Sequence, residues 1–218
     1  MNYLVIDLEM CKVPRNYRTK EYKYSNETIQ IGAVLLDKEF KQIGRLSQYV
    51  HPEHGVIDHF IANLTGIQNS NVKNAPLMKE ALEHLIDWIG EREYRVYAWS
   101  GSDREQIRHE IKAKNIKSES IDFFMEEERW VDYQAIFSER FGFARPLSLS
   151  EALDRAEIDA EGRLHDGLDD AVNTGLLIEK LERHPEYKLS GYARWETGST
   201  PLGSSLGDLL AGLNLQIA

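Results

Sequence analysis

Tyr3-Leu4-Val5-Ile6-Asp7-Leu8-Glu9 reads as a buried β-strand that carries two acids. Side chains on a strand alternate faces, so Asp7 and Glu9 point the same way. Two carboxylates side by side repel each other and resist burial, and this strand has no lysine or arginine to neutralise them. A divalent cation held by hard oxygen ligands compensates such a pair. The rest of the chain matters first for whether it supplies further ligands and a base.

Working outward, a polar loop over residues 10–26 follows the strand. A second apolar run covers Ile29 to Leu36 and ends at the turn Asp37-Lys38, and a third strand spans Gly44 to Val50. These three strands predict an antiparallel meander. After Pro76 the period changes. Leu77, Ala81, Leu82, Leu85, Ile86 and Ile89 recur at helical spacing, with Asn74 as the expected N-cap. Arg95 to Trp99 is a fourth strand, and Ser102 with Glu105 predicts a capping box and a helix start. Trp130 to Tyr133 is a short fifth strand. Ser148 with Glu151 predicts a second capping box, opening a helix to about Arg155. A last helix runs from about Asp166 to Glu182 and stops before Pro185. The order predicts an α/β domain with a mixed five-stranded sheet over residues 1–185. Residues 186–218 read as a Gly/Ser-rich tail in which Leu206 to Leu215 forms a short amphipathic helix.

The 218 residues suffice for one substantial domain with an appendage, and 42% hydrophobic and 28% charged content is that of a globular chain. No apolar run is long enough to span a bilayer, so no membrane partner is expected. The chain enters its first strand without a basic n-region or cleavage site, and it has a single cysteine, Cys11; both fit a cytoplasmic location. A net charge of −10 argues against holding nucleic acid through a global basic field, and leaves local contact through metals and a small basic patch.

The acids to weigh with Asp7 and Glu9 are Asp103, past the end of the fourth strand, and those of His165-Asp166-Gly167-Leu168-Asp169-Asp170-Ala171, which opens the last helix. Strand ends and helix starts of α/β sheets are where sites accumulate. Taken singly, Asp103 reads as a complement to a helix dipole, Asp166 as an N-cap and His165 as a loop residue. Together, Asp7-x-Glu9, Asp103 and His165-x4-Asp170-Ala171 resemble the DEDDh (DnaQ-like) exonucleases, in that family's order. Leu64-Thr65-Gly66-Ile67 also resembles a stretch common there. Within the family the chain looks most like the Eri-type branch, which takes in the histone-mRNA exonuclease and bacterial sporulation inhibitors of the KapD kind; the whole chain looks closest to the latter.

The resemblance covers about residues 2–183 and implies an RNase H-like fold. It implies two Mg2+ or Mn2+ ions on Asp7, Glu9, Asp103 and Asp170, with Asp7 bridging and Asp103 acting partly through water. It implies His165 as general base, a role that an imidazole titrating near neutrality can fill. Family spacing selects Asp170 over Asp169 as the ligand; Asp169 is expected to face solvent or a backbone donor. A loop free to move would let His165 order with substrate.

Recognition of a strand end is expected from Met10, which can pack on a base or fill core, and from Thr65 and Ile67, as walls for a terminal base or as buried turn positions. Lys12 to Tyr24 carries five basic residues against one acid, with three tyrosines interleaved. That mix, with Lys12, Arg15, Tyr17 and Arg18 as its leading members, suits a single strand whose bases stack on aromatics and whose phosphates meet cations. The alternative is a solvated loop. His51, His54 and His59 lack a fourth ligand and make a poor zinc site.

The expected activity is metal-dependent 3′-to-5′ exonucleolytic hydrolysis of single-stranded nucleic acid, RNA before DNA. The rivals are a DNA exonuclease and a regulatory binding module without catalysis.

Overall fold

The computed structural model describes residues 1–17 and 25–189. Its centre is a five-stranded sheet: β1 (Asn2–Lys12), β2 (Asn26–Leu36), β3 (Gln42–Tyr49), β4 (Tyr94–Ala98) and β5 (Trp130–Asp132), in spatial order β3-β2-β1-β4-β5. The first three strands form the expected antiparallel meander, whereas β4 and β5 run parallel to β1. Eight helices surround the sheet among the described residues: α1 (His59–Thr65), α2 (Asn69–Val72), α3 (Met78–Ile89), α4 (Ser102–Ala113), α5 (Glu119–Phe124), α6 (Tyr133–Phe141), α7 (Leu149–Arg155) and α8 (Gly167–Arg183).

Strand alternation sorts the core into two layers. Leu4, Ile6 and Leu8 point to the face covered by α3, α4 and α5, where Ile31, Ala33 and Leu35 of β2 join them. Val5, Val34 and Leu36 point to the other face, against Ala171, Leu177 and Ile178 of α8. Both faces of β1 are therefore buried, which explains its nearly continuous apolar sequence. Asp7 and Glu9 share the parity of Val5, so the acids lie on the α8 face. Beyond Glu9 a bulge changes the phase: Glu9 faces Gln30, but Met10 faces Thr28.

Local departures from the sequence reading have identifiable causes. α3 begins at Met78 with Leu77 at the N-cap and no side-chain cap, so Asn74 does not cap it. Pro76 disfavours helical geometry at the residue before it and pushes the start downstream. The Ser102–Glu105 capping box does not form. α4 starts one residue early, with Gly101 at the N-cap, and Asp132 Oδ2 accepts the Gly101 N–H at 3.0 Å. Ser102 instead shares a hydrogen bond with Ser100, and Glu105 pairs with Arg108. The second capping box, Ser148 with Glu151, is present. The helices α1, α2, α5 and α6 are too short to impose a clear period on the sequence.

A buried ionic cluster fastens α4 to the sheet. Glu110 accepts from the Thr28 N–H at 2.8 Å and the Thr28 hydroxyl at 2.6 Å, beside the bulge. Lys114 Nζ lies 2.9 Å from Glu110, 3.0 Å from Glu27 and 3.0 Å from Glu53. Glu27 also accepts the backbone N–H groups of His54 and Gly55, tying in the loop after β3. This cluster sets the height of α4, and so the position of Asp103 in its first turn.

Candidate active site

Two glycines bring the first turn of α8 to the acids of β1. Gly32 of β2 lies opposite Asp7, and a Cβ there would overlap the backbone of Gly167 and Leu168. A Cβ on Gly167 would sit 3.1 Å from the Asp7 carbonyl oxygen. The missing side chains let helix and strand backbones touch. Gln30, buried beside them, accepts the Gly167 N–H at 3.0 Å and donates to Asp166 Oδ2 at 3.2 Å. Asp166 caps α8 by accepting from the N–H groups of Leu168 and Asp169. Gly32→Ala is therefore expected to cost about 1–3 kcal/mol in a urea melt; an unchanged midpoint would contradict the close approach.

The acids converge from three elements. Asp7 and Glu9 come from β1 and Asp170 from the first turn of α8. Asp103 reaches over from α4, where its Oδ1 accepts the Leu8 N–H at 3.2 Å. Ligand atoms of Glu9, His165 and Asp170 lie within 4.8 Å of one another. Glu9 and Asp103 are each 1% exposed. Glu9 Oε2 and Asp170 Oδ1 are buried without a hydrogen-bond partner, and neither residue, nor Asp7, has a salt bridge among the described residues.

Such a cluster holds protons strongly. Burial, then Asp103, Asp170, Glu9 and Asp166, push Asp7 well above the usual carboxylate range. Glu9 is likewise pushed well up by burial and then by Asp170 and Asp103, with Arg163 pulling weakly the other way. Asp170 is raised to about 7, chiefly by burial; the His165 N–H bond opposes that rise, and Asp166 and Asp169 add to it. Buried oxygens without partners, on hard ligands that repel one another, fit divalent cations such as Mg2+ or Mn2+.

His165 stands directly before this turn. Its N–H donates to Asp170 Oδ2 at 2.9 Å, and its backbone is left-handed at φ 64°, a conformation that costs about 1 kcal/mol outside glycine. Burial, and then Arg163, lower its pKa below the ordinary histidine value, so the ring is neutral and ready to accept a proton at neutral pH. Asp169 turns away and accepts the Arg163 N–H at 2.7 Å, a backbone donor as its spacing suggests.

The expected strand-end contacts divide. Met10, Thr65 and Ile67 are buried, packing β1 against α1 and its C-terminal turn. The Thr65 hydroxyl donates to Ile61 O and accepts from Ile67 N. These side chains fill core, one of the two readings that the sequence leaves open for them. Lys12 ends β1, while Arg15 and Tyr17 are exposed in a 3-10 turn, with the Tyr17 ring stacked on His54 at 5.1 Å. Arg18 and the rest of the basic loop to Tyr24, like the tail from residue 190, lie outside the described residues. The three histidines do not converge: His51 contacts Val72 O, His54 stacks on Tyr17, and His59 contacts Asn63. Sequence reasoning missed Gln30 and Gly32, although an isolated glycine in an apolar strand is a signal for close backbone approach.

Fold and site together define an α/β domain built around an acidic cluster suited to hard divalent cations. The chain belongs to the Exonuclease (RNase_T) family, whose model matches residues 4–177. It is 30% identical over 178 residues to ERI1 exoribonuclease 2 of Mus musculus, an alignment covering 73% of this chain and 26% of that protein. Snipper, a 3′-5′ exonuclease of Drosophila melanogaster, is 25% identical over 173 residues, covering 72% of this chain and 61% of the relative. The chain thus spans about a quarter of the length of the ERI1 exoribonuclease 2 relatives. Among solved structures, the nuclease domain of 3′hExo, a DEDDh family member bound to rAMP, superposes with a TM-score of 0.70 at 21% identity, covering 87% of this chain and 96% of that one. The fold is the RNase H-like fold of these exonucleases. No helix of the described residues is long and apolar enough to cross a membrane.

Proposed function

We propose that this protein is a metal-dependent 3′-to-5′ exonuclease that trims single-stranded ends, with RNA as the preferred polymer. The observation that carries the reading is the convergence of Asp7, Glu9, Asp103 and Asp170 beside His165, with Glu9 Oε2 and Asp170 Oδ1 buried without a hydrogen-bond partner among the described residues. Asp7, Glu9, Asp103 and Asp170 would hold two Mg2+ or Mn2+ ions. Two such ions supply Lewis acidity at the scissile phosphate and activate water for attack.

The protein's own residues do the rest. The Gly32–Gly167 contact and the Asp166 cap fix the first turn of α8, so Asp170 enters from a rigid element. Asp103 is oriented by the Leu8 N–H, and Glu9 stands on β1 directly before the bulge. His165, kept neutral by burial, takes the proton from the attacking water. Its left-handed backbone brings it to the acids while the loop before it stays at the surface. Lys12, Arg15 and Tyr17 leave the acidic strand toward solvent. They offer two cations and a ring to the strand behind the terminal nucleotide, with Arg18 continuing that patch in sequence.

RNA is placed before DNA because ERI1 exoribonuclease 2 and 3′-5′ exoribonuclease 1, to which this chain is similar, carry exoribonuclease names. The test compares ribo- and deoxyribo-oligonucleotides of one sequence: faster shortening of RNA supports this preference, and faster shortening of DNA reverses it. His165→Ala is expected to lower kcat roughly 100- to 10,000-fold and to remove the acidic limb of the pH–rate profile. An unchanged rate with an unchanged acidic limb would sink the role of His165.

A further inference from the structure

The segment ahead of His165 is tied to α8 on its inner side. Asn173, fully buried, accepts the Glu161 N–H at 2.8 Å and donates to the Glu161 carbonyl at 3.0 Å. Gly162 is left-handed at φ 66°, and a Cβ there would overlap the Asp169 carboxylate. Asp169 accepts from Arg163 N, and Asp170 accepts from His165 N. On its outer side Arg163 joins this segment to α1. Arg163 Nη2 donates to the carbonyls of Asn63 at 2.9 Å and Leu64 at 2.8 Å.

Those two carbonyls belong to the last turn of α1, where carbonyls have no partner within the helix. A cationic donor there also meets the negative end of the helix dipole. The sequence leaves room for it. The helix ends on Gly66 in the left-handed region at φ 72°, and a Cβ at Gly66 would collide with the Arg163 guanidinium.

We propose that Arg163 is a positioning residue that clamps the His165 loop to the C-terminal turn of α1, holding the base in register with the Leu64–Ile67 segment. The proposal rests on the exonuclease reading, in which His165 takes a proton from water. Arg163 is exposed and adds nothing to the core, so its contribution lies in where it holds the loop. With the inner side fixed by Asn173, Asp169 and Asp170, releasing the outer side lets the loop pivot about α8. Small displacements of a proton acceptor are costly in rate, because proton transfer needs hydrogen-bond reach.

The test uses the full chain with Arg163→Ala, His165→Ala and the double variant, in two measurements. Hydrogen–deuterium exchange of residues 160–166 should rise in Arg163→Ala, with the melting temperature of the protein nearly unchanged. Single-turnover hydrolysis of 5′-labelled RNA in Mn2+ should fall roughly 10- to 100-fold in Arg163→Ala with KM little altered. In the His165→Ala background the same substitution should cost almost nothing, since the base it positions is gone. Unchanged exchange, an unchanged rate, or an equal penalty with and without His165 each overturns the proposal. If the wild-type protein shortens no strand, the exonuclease reading falls by itself, and exchange still decides the clamp: a rise supports it and no change overturns it.

Discussion

Asp170→Asn is expected to raise the melting temperature of the metal-free protein by roughly 2–6 °C at pH 8, equivalent to about 1–2 kcal/mol, while abolishing turnover. The gain follows from the acidic cluster. Asp170 is raised to about 7 and Asp7 and Glu9 well above the carboxylate range, all chiefly by burial. A group whose folded pKa exceeds its unfolded value stabilises fully below the unfolded value, about 4 for a carboxyl. That stability is lost as pH rises through the folded value. The metal-free wild type should therefore lose stability from about pH 4 to above pH 7 through these groups. Asparagine removes one charge while its carbonyl can still accept the His165 N–H. Mn2+ should reverse the order: the wild type gains about 2–3 kcal/mol at 100-fold excess over Kd, more at pH 8 than at pH 6, and the variant gains far less. A lower melting temperature for metal-free Asp170→Asn, or an equal response to Mn2+, would contradict this account.

Lys114→Met is expected to cost about 3–5 kcal/mol, because it leaves Glu27 and Glu110 buried without their cation. In a chain of this size that lowers the melting temperature by roughly 6–20 °C. Burial alone would depress the Lys114 pKa, but Glu110 and Glu27 beside it overcome that and raise it, so the ammonium is charged throughout the neutral range. Adding Glu110→Gln to Lys114→Met should recover part of the loss by removing one uncompensated charge. A Lys114→Met melt within about 1 kcal/mol of wild type would show that the cluster relaxes without its cation.

The sheet was legible in the sequence because each strand carries its own signal. The apolar run of β1, the turn Asp37-Lys38 and the change of period after Pro76 are local patterns. Asp7, Glu9, Asp103, His165 and Asp170 were also legible, as residue types at strand ends and helix starts in a family's order, and the structure brings them together. The supports of the site were not. Glu110 and Thr28 are 82 residues apart, and Arg163 and Asn63 are 100 apart. Neither pair leaves a periodic trace, so only the folded chain shows them as partners. The α4 start misled for a local reason: Ser102 and Glu105 satisfy the capping-box pattern, but Asp132 captures the Gly101 N–H and moves the boundary. Met10, Thr65 and Ile67 read as strand-end contacts from their neighbourhood. The sequence leaves both that role and a core position open for them, and the bulge after Glu9, a single-residue change of phase that leaves no mark on composition, places Met10 in the α1 core.

The most direct measurement is the shortening of 5′-labelled single-stranded RNA, bearing a free 3′ hydroxyl, by wild type and Asp7→Asn in Mn2+ and in EDTA. The account predicts a ladder receding from the 3′ end with wild type in Mn2+, and an intact strand in EDTA and with Asp7→Asn. Shortening that persists in Asp7→Asn or in EDTA, or an intact strand with wild type in both Mg2+ and Mn2+, would contradict it.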